Sequence, residues 1–393
     1  MQRSVALVVT AFLAAFALDG ALSVVDELGA LSLDVHIVKY PRALFSTLVL
    51  LANLGMFAAM AITPRIPKRL VLPPMFVAVW FVLGAMPLPI YFGIEGSGLP
   101  IAAVQAVVAA AVWGHIRFWG GAWRVPDDWI EGPAFSVRNL ALVAVGAMAM
   151  VPVVGVYSGL SLKLALSEGT AGYADLDTTG LLLRSRTFRK RDKRVELLGM
   201  MHVGEPAAYE EIWSSFPAGS VLLAEGVSDE QEIFGKRKLS YDKGAAKMGL
   251  ISQAKVPIEA DDVTVRSADI DISEFSESTQ ELLKGAAKIW AADTTAEFMT
   301  AYAGVVETSG DPKVIEAVLD DVLNRRNDHL IGEVDRALTE FDVVVVPWGA
   351  LHMPFLDEEV RKRGFKEESS RDFRLFRFGT VGRGVADFLA GSG

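Results

Sequence analysis

Hydrophobic and polar positions are unevenly distributed along this chain. Almost every long apolar run lies before residue 165, and nearly every acidic cluster lies after it. A shift of that kind marks a domain boundary. Five stretches in the first part reach the length of about 20 residues that a helix needs to cross a bilayer core: residues 5–25, 43–63, 70–92, 99–116 and 140–160. They predict an α-helical, multi-pass membrane domain over residues 1–165. The first stretch also has the form of a signal peptide, with Arg3 ahead of the apolar run and small residues near position 22. Its cleavage would leave four spans.

Beyond residue 165 the period of the pattern changes. Residues 166–180 are small, polar and acidic, as in a short linker. Strands are expected at 181–188 and 195–202, across the charged turn at 190–193, and a helix opened by Pro206 at 205–216. A buried strand is expected at 220–227 and a short one at 256–259. Helical spacing returns at 276–292 and 312–340. The β-branched run at 342–347 has the pattern of a central strand covered on both faces. A helix at 356–363, stopped by Gly364, and a strand at 371–378 complete an α/β or α+β domain over residues 181–380, with a tail at 381–393.

Charge and composition narrow the function classes. The formal net charge of −10 argues against a nucleic-acid partner, because a phosphate-binding surface needs a basic excess. With no cysteine, thiol nucleophiles, disulfides and thiolate metal sites are excluded. A metal here would be held by histidine and oxygen ligands. If the N-terminus is cytoplasmic, the inner segments carry Arg3, Arg65, Lys68, Arg69, Arg117, Arg124 and Arg138, against Lys39 and Arg42 outside. That bias predicts a cell-membrane protein whose C-terminal domain is extracytoplasmic. Asp19 and His115 are read as lying near span ends, satisfied by interfacial water. The membrane half is then an anchor in the lipid bilayer or a platform for a partner.

The candidate chemistry lies in the second half. Gly199-Met-Met-His202 and Gly349-Ala-Leu-His352 each close a predicted strand. Ligands of open α/β sheets bind at the carboxyl ends of strands, where a glycine lets the backbone turn and present the histidine. Each tetrad alone is weak, and a hydrogen-bonded structural histidine is its plain alternative. Glu225 ends another apolar strand, where an unpaired carboxylate must find a cation, a donor or a metal. Arg326 and Asn327 share a long predicted helix with His329, which reads as a surface residue rather than a ligand. There is no HExxH helix, GxSxG elbow, phosphate-binding loop or dinucleotide fingerprint.

The blocks VELLGMMHVG, VLLAEGV, NRRNDHL and VVPWGALHMPFLDEEVRKRGF, in that order, resemble the hallmark segments of the TraB/PrgY/GumN/TIKI family, and ADIDISEFSESTQELL fits its middle region. The resemblance covers roughly residues 178–378 and none of the membrane half. It implies a fold similar to the erythromycin-esterase and ChaN-like proteins and a metal-dependent, peptidase-like hydrolase acting on a peptide or protein substrate. His202, Glu225 and His352 would be the metal-site or catalytic residues, with manganese or cobalt as the divalent metal ion. Arg326 and Asn327 would polarise or orient the scissile group. Arg325 stands where family members often have glutamate. The alternatives are a non-catalytic protein that binds a peptide, haem or metal, and a membrane-anchored regulatory module with a decayed site.

Overall fold

A computed structural model describes residues 2–33, 35–231, 233, 241–258, 262–292, 294–309 and 312–390. The chain divides into two compact units, Met1–Ala165 and Leu166–Gly393. The division falls where the apolar runs give way to acidic segments.

The first unit consists of α1 (Gln2–Leu33), α2 (Lys39–Ile62), α3 (Lys68–Val82), α4 (Leu88–Gly96), α5 (Gly98–Gly120) and α6 (Val137–Gly169), which continues into the second unit. Val9, Leu13, Met60, Leu70, Val112 and Ile116 meet in its interior. Leu48, Val107, Val151 and other large apolar side chains remain on its outside, as a lipid solvent requires. Among the described residues, four helices are long and apolar enough to cross a membrane.

The expected span at 70–92 is not one helix. After α3 the backbone turns through Gly84 and Ala85, both at positive φ, before α4 starts just beyond Pro87. The positive φ of Gly84 and Ala85 takes the backbone out of the helix, and Pro87, with no N–H to give the ladder, stands where the next helix begins, whereas Pro73 and Pro74 remain within α3. The chain nevertheless passes from end to end of the bundle at this point. At one end Lys68 donates to Asn139 Oδ1 at 2.7 Å and Gln2 to the Ile130 carbonyl at 3.1 Å. At the other end the start of α5 abuts Glu27, late in α1. Helices α1, α2, α5 and α6 are the four long apolar helices, and α3 is a shorter apolar helix between α2 and α5.

Asp19 does not lie at a span end in contact with water. It is 6% exposed in the bundle interior, accepting from Ser46 Oγ at 2.6 Å and Gln105 Nε2 at 2.8 Å. His115 is flanked by Trp119 and Trp129.

The second unit is an α/β domain. Its elements are β1 (Ala174–Leu176), β2 (Gly180–Lys190), β3 (Lys193–Met200), β4 (Val203–Gly204), α7 (Pro206–Ser214), β5 (Val221–Ala224), α8 (Asp242–Lys247), β6 (Ile251–Ser252), β7 (Thr264–Ser267), α9 (Glu277–Ala291), α10 (Thr295–Ser309), α11 (Pro312–Leu319), α12 (Arg326–Glu340), β8 (Val343–Gly349), α13 (Met353–Lys362), β9 (Lys366–Arg377) and α14 (Phe378–Leu389). The main sheet runs β1-β2-β3-β8-β5-β7, with β9 also paired to β2, and β4 pairs β6 separately. Strands β3, β8, β5 and β7 are parallel, whereas β1, β2 and β9 are antiparallel neighbours.

Alternation along the parallel strands puts a core on each face, as the β-branched pattern requires. Val195, Leu197, Val221, Leu223, Val344 and Val346 pack with Leu330 and Val334 of α12 and Leu356 of α13. Leu198, Leu222 and Val345 pack on the opposite face with Tyr209, Ile212 and Trp213 of α7.

Three expectations need correction. Residues 166–180 are no linker, for they hold the last turn of α6 and β1, with Tyr173 and Ala174 fully buried. Residues 256–258 form no strand, and Glu259 lies outside the described residues; the edge strand is β7. The helix expected at 312–340 is interrupted by a π-helical turn, Asp320–Arg325, immediately before Arg326. The tail carries α14.

Candidate functional site

The four parallel strands point their carboxyl ends to one sheet edge, and each is followed within three residues by an ionisable side chain. His202 follows β3, His352 follows β8, Glu225 follows β5 and Asp269 follows β7. Helix α12 adds Arg326 and Asn327. Connections between parallel strands cross over on the faces, so the strand ends themselves stay open to a ligand.

Arg326 is the hub. Its Nε and Nη2 form a fork on Asp269, at 2.9 and 2.7 Å, and Nη2 also reaches Glu225 Oε1 at 2.8 Å. Nη1 lies 3.2 Å from His352 Nε2 and 3.4 Å from the Val322 carbonyl. The guanidinium stacks over the Trp348 ring, whose indole N–H donates to the Leu223 carbonyl at 3.0 Å. A planar, permanently charged fork suits two buried carboxylates where a lysine would not. These partners raise the guanidinium pKa still further, against the lowering effect of burial.

Glu225 is held at both oxygens, since Oε2 accepts from the Gly349 backbone N–H at 2.6 Å. His352 is 3% exposed, and its Nδ1 lies 2.7 Å from Asn327 Oδ1. An amide oxygen only accepts, so Nδ1 carries the proton and Nε2 presents its lone pair to Arg326. Burial lowers the His352 pKa from 6.5 to about 4, outweighing the opposing effect of the Glu225 carboxylate. The ring is therefore neutral at pH 7.

The structure joins Glu225, Arg326, Asn327 and His352 in one network. His202 sits at the same edge but apart from it, exposed and stacked on Tyr241 at 5.0 Å between ring centres. Burial raises the Tyr241 phenol pKa, and Glu225 adds to the shift. His329 faces Glu333 at 3.8 Å on the surface of α12. Arg325 reaches back to Asp321 at 3.0 Å and lies outside the network.

The two tetrad glycines have different duties, neither of them a left-handed turn. A Cβ on Gly199 would stand 2.8 Å from Tyr173 Cβ, so this position needs glycine for close packing. At Gly349 an added Cβ would make ordinary contacts, and the service of that residue is its N–H to Glu225.

Asp269, Tyr241 and Trp348 were not singled out as site residues. The Asp269 side chain is fully buried between Arg326 and the Gly226 backbone N–H at 3.0 Å. Its only signal was an acid within the apolar alternation of Ala268-Asp269-Ile270-Asp271, after a strand too short and polar to be recognised.

The donor set does not match a divalent site. Both Glu225 oxygens are engaged, and the His352 lone pair faces a guanidinium. Among the described residues no three His, Asp or Glu side chains are placed to hold a metal ion. A cation at His202, Glu225 and His352 would stand against Arg326, so in this arrangement the residues do not fit it.

No protein-family model, curated protein or solved structure matches this chain, so the geometry and the motif blocks carry what can be said of its chemistry.

Proposed function

We propose that the second unit is a hydrolase of peptide or related amide bonds, tethered to the membrane by the first unit and facing away from the cytoplasm. One observation carries the reading: four adjacent parallel strands deliver His202, His352, Glu225 and Asp269 to one edge, with Arg326 bonded to three of the four. The TraB/TIKI-like blocks supply His202, Glu225, Arg326 and His352, in that order along the chain, which supports a peptide as substrate.

In this reading His202, the exposed member, meets the substrate. It takes a proton from water as the water oxygen attacks the carbonyl carbon. The two longest contacts of Arg326, both from Nη1, are the ones the substrate carbonyl oxygen takes over as it becomes an oxyanion. The C–N bond then breaks and His202 returns the proton to the leaving amine. Glu225 and Asp269 hold Arg326, and Asn327 fixes the His352 tautomer. No step needs a metal.

The test is cleavage of a quenched-fluorescent peptide library by the full chain in lipid nanodiscs. Cleavage should fall by about 100-fold or more in His202→Ala, the usual range for loss of a general base, and comparably in Glu225→Gln. Chelation should leave it unchanged. Loss on chelation restored by manganese would mean that Arg326 moves aside for a metal. Stoichiometric haem or peptide binding without turnover would overturn the hydrolase reading.

A further inference from the structure

The first unit holds a feature that a plain anchor does not need. A cavity of about 500 Å³ lies among α1, α2, α3 and α5, bounded by Asp19, Asn53, Phe16, Trp80, Phe81 and Ile101 among others. The size is that of a small-molecule pocket. Two of its polar groups, Ser46 and Asn53, lie on one face of α2 with Leu50 between them, and Asn53 stands about 10 Å along the axis from Ser46.

Three observations give the chemistry. Asp19 has two hydrogen-bond donors, but among the described residues no Lys, Arg or His lies within 4.0 Å of it. Asn53 is 5% exposed; its Nδ2 donates to the Val49 carbonyl at 2.9 Å, while its Oδ1 has no partner. Toward one end of the cavity Arg42 is already committed to Asp26 and Glu27, at 2.9 and 2.6 Å, and does not serve Asp19. An unsatisfied buried acceptor and a carboxylate without a counter-ion are costly inside a membrane. Both costs are relieved by an occupant that brings positive charge and N–H donors.

We infer that this cavity binds a small organic ammonium ion, its charge against Asp19 and its apolar body against the aromatic wall. The wall decides for an organic cation over a bare metal ion. Inorganic cations need several converging oxygens, whereas Asp19 and Asn53 sit in series on surfaces that are otherwise largely apolar. Trp80, Phe81 and Phe16 line the cavity, and aromatic rings attract ammonium groups.

The test uses radiolabelled phenethylammonium as probe and the full chain in nanodiscs. Saturable binding of one probe per chain is expected, weakened at least tenfold in Asp19→Asn, which keeps the size but removes the charge and turns one of the two acceptor oxygens into a donor. Asn53→Leu should weaken it as well, and carries the test if Asp19→Asn fails to fold. Neutral 2-phenylethanol and sodium chloride should not compete. No saturable binding, unchanged affinity in a folded variant, or displacement by either competitor would overturn the assignment. A catalytic site that is dead in His202→Ala should leave probe binding intact, so the two proposals stand or fall separately.

Discussion

His352 is where burial acts most directly on chemistry. Its folded pKa of about 4 lies below the ordinary 6.5. Between those values the unfolded chain binds a proton that the folded chain refuses. The stability contributed by the neutral ring is whole above pH 6.5 and is lost as pH falls toward 4, about 3 kcal/mol in all. Histidine NMR of the full chain in detergent, assigned with His352→Gln, should show this ring unprotonated down to about pH 5. A midpoint near 6.5 would contradict the buried hydrogen-bonded geometry. Arg326 provides a second residue-scale test, because its removal leaves Glu225 and Asp269 buried together without a cation. Breaking such a network costs about 3–5 kcal/mol. Hydrogen exchange in β5 and β7 should accelerate sharply in Arg326→Ala and only partly recover in Arg326→Lys, whose ammonium lacks the fork. Unchanged exchange would show that the network does not hold these strands. The sequence exposed Glu225, Arg326, Asn327 and His352 as candidates. It hid their pairing, because contacts between residues 101 positions apart, such as Arg326 and Glu225, are set only by the fold.

Elements were legible in proportion to their apolar pattern. The β-branched run became β8, paired on both sides and covered on both faces. Strands β1 and β7 are only 3 and 4 residues long, and β7 is largely polar, so periodicity has too few positions to register. The π turn before α12 keeps the chain helical and leaves apolar spacing nearly unchanged, which is why one long helix was expected. Its Asp321 accepts from Ser276 N and Oγ and from Thr279 Oγ1, tying the start of α9 to the segment that presents Arg326. The tetrad glycines give a contrast at this scale. Gly199→Ala should destabilise the chain by about 1–3 kcal/mol, the usual cost of overpacking, because Tyr173 at 2.8 Å has no room to move in the core. Gly349→Ala meets only ordinary contacts and should cost clearly less. Thermal unfolding of the two variants side by side checks the order; equal losses would remove the packing explanation of the first tetrad.

For the whole molecule, the decisive property is which end of the bundle faces the cytoplasm. The apolar count anticipates five spans, whereas four helices among the described residues are long and apolar enough to cross, because Gly84 and Pro87 divide the third run. In the proposed topology α3 carries the chain across as a fifth pass, so that the N-terminus and the exit of α6 fall on opposite sides, and the arginine and lysine bias assigns the N-terminal end to the inside. An even number of crossings would instead put the candidate hydrolase on the same side as the N-terminus, with a different set of substrates. The absence of cysteine makes the orientation directly measurable, since any thiol introduced is the sole reporter. Asp192→Cys, in the exposed turn between β2 and β3, should react with an impermeant maleimide on intact cells or spheroplasts. Glu131→Cys, exposed beside the N-terminal end of the bundle, should react only after permeabilisation. The reverse pattern would place the sheet edge in the cytoplasm, and labelling of both or of neither on intact cells would mean an even number of passes. A sheet edge found inside would turn the search for a substrate toward cytoplasmic peptides, whereas labelling of both would keep it outside; the arrangement around Arg326 is unchanged in every case.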